Sequence, residues 1–125
     1  MALCLASGAL AATLAINSFT LAWTHSIEKI RWEEEWQVEA GKLNLKAARI
    51  RGTGAGMEPP ADAVFRDGVW HYRPRIAPLV SVRLAHSPYT AGYQLCADGT
   101  CRALASYLPG LPDTATIEMR ACSEP

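Results

Sequence analysis

Apolar and polar residues alternate with a period of two along most of this chain. Phe19, Leu21 and Trp23 alternate with Thr20, Ala22 and Thr24, and Trp32, Glu34, Trp36 and Val38 alternate with Glu33, Glu35 and Gln37. Successive side chains on a β-strand point to opposite faces, so this pattern predicts half-buried strands. After an Ala40-Gly41-Lys42 hairpin turn, Leu43, Leu45 and Ala47 alternate with Asn44, Lys46 and Ala48, extending a further strand to about Arg51. Short strands are expected at 69–72, with Trp70 and Tyr72 on one side, and at 79–85, with Val80, Val82 and Leu84 inward. Another is expected at 114–121, where Ala115, Ile117 and Met119 share a face. Asp98-Gly99 is a strong two-residue hairpin signal between 93–97 and 100–104. Residues 52–60, with three glycines and two prolines, read as a loop, as do 107–113 with Pro109, Gly110 and Pro112. Residues 61–67 read as one helical turn or a loose link. Short strands separated by Gly/Pro turns, with no long helix, predict an all-β fold: a single compact antiparallel β-sandwich or small β-barrel of about eight strands. At 125 residues the chain has room for one such domain, 1–125, with a hydrophobic core of its own.

The first residues admit more than one reading. No Asp, Glu, Lys or Arg precedes Glu28, so residues 1–23 have the length and apolarity of a membrane span. Ala9-Leu10-Ala11 resembles a cleavage site, but the cationic start of a signal peptide is missing. Alternatively, Gly8 separates two strands, 3–6 and 9–16, ahead of an Asn17-Ser18 turn or bulge. Strands are the preferred reading, because a glycine and small polar residues sit poorly in a lipid-facing helix. A weak signal or anchor over 1–16 is the alternative.

Composition narrows the partners. Half the residues are hydrophobic and 19% are charged, which excludes a disordered chain. A formal net charge of zero offers neither the basic patch that nucleic acid demands nor attraction to an anionic membrane. The four cysteines Cys4, Cys96, Cys101 and Cys122 admit two disulfides. Across the Asp98-Gly99 turn Cys96 faces Cys101, with Cα atoms about 4.5 Å apart. That is the short end of the range a disulfide accepts, and two reduced thiols packed across the hairpin are equally open. If 1–6 and 114–121 are neighbouring strands, Cys4 meets Cys122. None of the three histidines stands at ligand spacing to a cysteine pair, so no metal or other cofactor is expected.

Glu34 is the sharpest candidate for chemistry. Alternation puts its carboxylate on the face of Trp32 and Trp36, where an acid must find a partner or shift its pKa upward. A turn around 27–31 would return His25 beside it, forming a pH-sensitive polar node. Thr24, His25, Ser26, Glu34, Gly54, Gly56 and Met57 are the node or binding residues under this reading. A structural Glu–His pair, a ligand site and a surface pair are all open. Gly52-Thr-Gly-Ala-Gly-Met57 is not a nucleotide loop: Met57 stands where the dinucleotide fingerprint needs glycine, Gly-Lys-Ser/Thr is absent, and Glu58-Pro59-Pro60 stops the following helix. Arg49 and Arg51 flank this loop and are the candidate contacts for an anion. Ser26 lies in no Gly-x-Ser-x-Gly elbow, and no catalytic residue is assigned.

The string Phe19-Thr-Leu-Ala-Trp-Thr-His-Ser-Ile27, Glu34 beyond it, residues 52–60 and the Leu95-Cys96…Cys101 hairpin resemble DUF1850, a family of small bacterial proteins. Members of that family are often encoded beside the fused membrane component of TAXI-type TRAP transporters, which take up small organic acids with an extracytoplasmic binding protein. The resemblance implies a non-enzymatic accessory or interaction domain, partnered with the transporter's membrane or binding subunit. It also implies an extracytoplasmic, periplasmic location, with the cytoplasm as the alternative. A small-molecule module binding a carboxylate, such as a small organic acid, or another anion is the second reading. An enzyme using His25 and Glu34 is the third.

Overall fold

The computed structural model describes residues 1–24, 29–51 and 61–123. Among them, eleven strands form two antiparallel sheets packed face to face. The strands are β1 Ala2–Ser7, β2 Leu10–Leu14, β3 Ser18–Thr24, β4 Arg31–Glu39, β5 Lys42–Arg51, β6 Val64–Arg66, β7 Val69–Tyr72, β8 Ser81–His86, β9 Gln94–Ala97, β10 Thr100–Ala103 and β11 Ala115–Cys122. The small sheet has the order β2-β1-β11-β8 and the large one β10-β9-β3-β4-β5-β7-β6. This is a sandwich rather than a closed barrel, with more strands than the eight expected.

The alternating residues do what the pleat requires. Phe19, Leu21, Trp36, Val38, Leu43 and Leu95 of the large sheet face Leu3, Leu5, Leu84, Ile117 and Met119 of the small one. Leu104 and Leu108 close the core from a single 3-10 turn, Leu104–Tyr107, in and just after a stretch the sequence read as strand end and loop. Leu3 and Leu5 are 0% exposed, so the charge-free first residues form β1 inside the small sheet, with β2 at its edge. The weak signal or anchor alternative for 1–16 corresponds to this β1–β2 hairpin. No helix among the described residues is long and apolar enough to cross a membrane.

Three local expectations change. Residues 61–67 hold strand β6, joined to β7 by Asp67-Gly68 at φ 52° and 77°, the left-handed pair of a tight hairpin turn. Asp98-Gly99 repeats this geometry at φ 52° and 78° between β9 and β10. Val80 is 71% exposed instead of inward, because Leu79 takes the inner position and bridges Leu43. On β5, Glu35 pairs with Ala47 but Trp36 pairs with Leu45, so Lys46 is an extra residue in a β-bulge. Beyond it Ala48 and Ile50 are buried, whereas strict alternation from Leu43 would have turned Ala47 inward.

Each sheet carries one disulfide. β1 and β11 pair with Cys4 opposite Arg120 and Ala2 opposite Cys122, so Cys4 and Cys122 are diagonal neighbours, with Cα atoms 5.9 Å apart. Cys96 and Cys101 stand directly opposed across the Asp98-Gly99 hairpin, with Cα atoms 4.0 Å apart. The first bond closes a sequence separation of 118 residues and the second only 5. On chain entropy alone these restrict the unfolded state by about 5 and about 2 kcal/mol respectively.

Candidate functional site

The two faces of β4 carry different chemistry. On the inner face, the register places Leu95, Leu21, Glu34, Ala48 and Tyr72 in one row across β9, β3, β4, β5 and β7. The adjacent row runs Trp23, Trp32, Ile50, Trp70 and Phe65. Trp23 stacks on Trp32 at 6.0 Å between ring centroids and tilts against Tyr93 at 5.5 Å, while Phe65 meets Trp70 at 4.9 Å. Glu34 is thus an acid set into an aromatic surface, as its position in the alternation requires. Its Oε1 accepts a hydrogen bond from Trp36 Nε1 at 3.2 Å. Burial pushes the Glu34 carboxyl above its ordinary value, and the indole hydrogen bond offsets part of that rise. Burial and the Glu34 charge push the Tyr72 and Tyr93 hydroxyls up as well, which places both rings within the acid's electrostatic reach.

On the outer face the neighbouring acids are paired. Glu33 lies opposite Arg49 in the register and accepts from Arg31 Nε at 3.2 Å, Arg49 Nε at 3.4 Å and Arg51 Nη2 at 3.3 Å. Arg49 also donates to Glu35 through Nη1, and Arg31 reaches Gln94 Oε1 on β9 at 3.1 Å. The Glu33 side chain is only 12% exposed. Burial pushes its carboxyl up, but the Arg31 hydrogen bond and the charges of Arg51, Arg49 and Arg31 outweigh this and hold it below the ordinary value. Ala22, between Gln94 and Glu33 in the register, is 0% exposed beneath this network.

The predicted residues therefore divide. Glu34 is where alternation placed it. Thr24 ends β3, exposed and opposite Arg31. His25, Ser26, Gly54, Gly56 and Met57 lie outside the described residues, and with them the proposed Glu34–His25 pair. Arg49 and Arg51, singled out as anion contacts, are engaged by Glu33, and Arg49 also by Glu35. All four cysteines are in disulfides. Among the described residues no three His, Cys, Asp or Glu side chains converge as a metal would require.

Sequence reasoning missed two features. The first is the Glu33 network, whose signal was present in the charge alternation of Arg31, Glu33 and Glu35 against Arg49 and Arg51. The second is an open groove of about 550 Å³ over β5, β6 and β7, lined by Arg49, Arg66, His71 and Arg73. The Asp67-Gly68 dipeptide, read as Asp98-Gly99 was, would have revealed the β6–β7 hairpin that forms it.

Comparison with curated proteins and with solved structures gave no match. Residues 19–104, from β3 to the end of β10, match the family described as "Domain of unknown function (DUF1850)", and since this is more than half of the chain, the protein belongs to that family.

Proposed function

We propose that this protein is a non-enzymatic accessory domain that docks, in the extracytoplasmic (periplasmic) space, on a TAXI-type TRAP transporter for small organic acids. The observation that carries this reading is the outer face of the seven-stranded sheet. There Arg31, Glu33, Arg49, Glu35 and Arg51 form one network on two central strands, extended to β9 through Gln94. A rigid sheet holding charges in a fixed order suits electrostatic recognition of a complementary protein surface, where charge steers encounter and sets register. Two disulfides fit an oxidising compartment. Family resemblance supplies the partner. In this reading Glu34 helps to fix the inner face, holding the Trp36 indole in place, and has no part in turnover.

Two measurements test the proposal. The tagged chain, expressed with the TAXI-type TRAP permease and binding subunit of its own genome, should co-purify with one of them. Reversing the exposed Arg51 to Glu should abolish retention while the circular dichroism spectrum is kept. In intact cells a membrane-impermeant alkylating reagent should label no cysteine before reduction and all four after reduction under denaturing conditions. Elution of the wild-type chain alone from solubilised membranes would remove the docking role. Full labelling of thiols without reduction, seen only after lysis, would remove the assigned compartment.

A further inference from the structure

The groove over β5, β6 and β7 goes beyond docking. It has about 550 Å³ of space, within the range of small-molecule sites. Its charges are not equivalent. Of the two acids that line it, Glu35 is paired with Arg49 and Asp62 with Arg75 at 3.5 Å. Arg49 is in turn held by Glu33. Arg66 and Arg73 also line the groove, both are exposed, and among the described residues neither is paired with a carboxylate. The groove therefore presents two guanidinium groups that no carboxylate among the described residues neutralises.

Their spacing selects a ligand. Arg66 stands opposite Val69 at the start of β7, and Arg73 is the residue just after that strand ends at Tyr72, so about 13 Å of extended chain separates the two positions. His71 lies midway, opposite Val64 on β6 and Arg49 on β5. Val64 is 53% exposed and gives the middle of the groove an apolar floor. Positive charge at the two ends, with exposed Val64 beside His71 between them, matches a molecule that is anionic at both ends and aliphatic between them. A planar guanidinium pairs with a carboxylate through two parallel hydrogen bonds. A compact anion such as phosphate would satisfy one end only and leave Val64 uncovered.

We propose that this groove is a binding site for a short linear dicarboxylate, with Arg66 and Arg73 each taking one carboxylate and His71 and Val64 flanking the chain between them. The inference is independent of attachment to a transporter, since it concerns the isolated chain. Isothermal titration with succinate, glutarate and adipate tests it, with acetate and inorganic phosphate as comparison anions. At least one dicarboxylate should bind, and tenfold or more tighter than acetate or phosphate. R66Q and R73Q should each weaken that binding about tenfold or more, and the double variant should abolish it. R83Q, on β8 of the small sheet and paired with Glu118 there, should leave it unchanged. Both Arg66 and Arg73 are exposed, so thermal unfolding of the variants should match the parent and confirm that the fold is kept. Absence of heat with all three dicarboxylates at millimolar concentration would overturn the proposal. So would binding that survives the double variant, or phosphate binding as tightly as the best dicarboxylate. Copurification with a permease, or its failure, bears on the docking role alone.

Discussion

Glu33 and Glu34 are adjacent in the chain and meet opposite fates. Glu33 faces outward, lies under three arginines, and its carboxyl is held below the ordinary value. Glu34 faces inward among indoles and phenols, accepts a hydrogen bond from Trp36, and its carboxyl is pushed up. The residue type is the same and the backbone is continuous. The difference is made by what the pleat places opposite each: a row of guanidinium groups on one side, and Leu21, Ala48 and aromatic rings on the other. Burial of a carboxylate is therefore not by itself informative. Its consequence depends on whether cations were buried with it.

The comparison can be broken at several points. The largest effect is expected from Trp36→Ala, which opens a cavity in the inner face and removes the donor to Glu34. Denaturant unfolding should show a loss of about 3–5 kcal/mol. Glu33→Ala should cost about 2 kcal/mol, between the value of an exposed ion pair and that of a buried one, because it leaves Arg31, Arg49 and Arg51 without their shared acceptor. The pH dependence gives the sign. With the folded pKa below the unfolded value, Glu33 contributes stability above the unfolded pKa and loses it as pH falls through the folded one. The difference between parent and Glu33→Ala should therefore shrink under acid conditions. A gap that stays constant down to the acid transition would show that the arginines do not act on Glu33 through its charge.

Glu34→Gln should act in the opposite sense and more weakly. The folded pKa lies above the unfolded value, so the folded state holds its proton more tightly in the window between them, and the parent loses stability as pH rises through that window. Glutamine keeps an oxygen for Trp36 Nε1 and removes the ionisation. The variant should be as stable as the parent at low pH and more stable than it at neutral pH. A clear loss of stability at neutral pH would mean that the charged form of Glu34 is stabilised by something stronger than the Trp36 indole. The smallest effect is expected at Glu35, whose side chain is 50% exposed. Glu35→Gln should change stability by about 0.5 kcal/mol, and raising the salt concentration should erase the difference.

Much of the inner face was legible from alternation alone. Phe19, Leu21, Trp36, Val38, Ile117 and Met119 are core residues in the positions the period of two assigns them. The opposition of Cys96 and Cys101 followed from a two-residue Asp-Gly turn, which leaves no freedom in register. Legibility failed where the count of residues along a strand broke. Lys46 is one residue too many for its partner strand, so the faces of Ala47 and Ala48 could not be had by counting from Leu43. It failed again at β6, where Val64, Phe65 and Arg66 are all exposed and carry no alternation to read. The groove was out of reach as well, because it forms only where the β6–β7 hairpin joins the sheet by pairing β7 with β5.

Local pattern settled most of the strands, the apolar face of those without a bulge and the Ala40-Gly41 and Asp98-Gly99 turns, because each of these depends on contacts within a few residues. The diagonal meeting of Cys4 with Cys122 rested on a condition, that the first and last strands lie side by side, which only the assembled sheet could meet. Tertiary structure decided that the row of arginines on Glu33 faces outward and that β7 pairs with β5, so that Arg66 and Arg73 share a groove with Arg49. Those outcomes depend on strand order and register, which are selected by the packing of one whole sheet against the other.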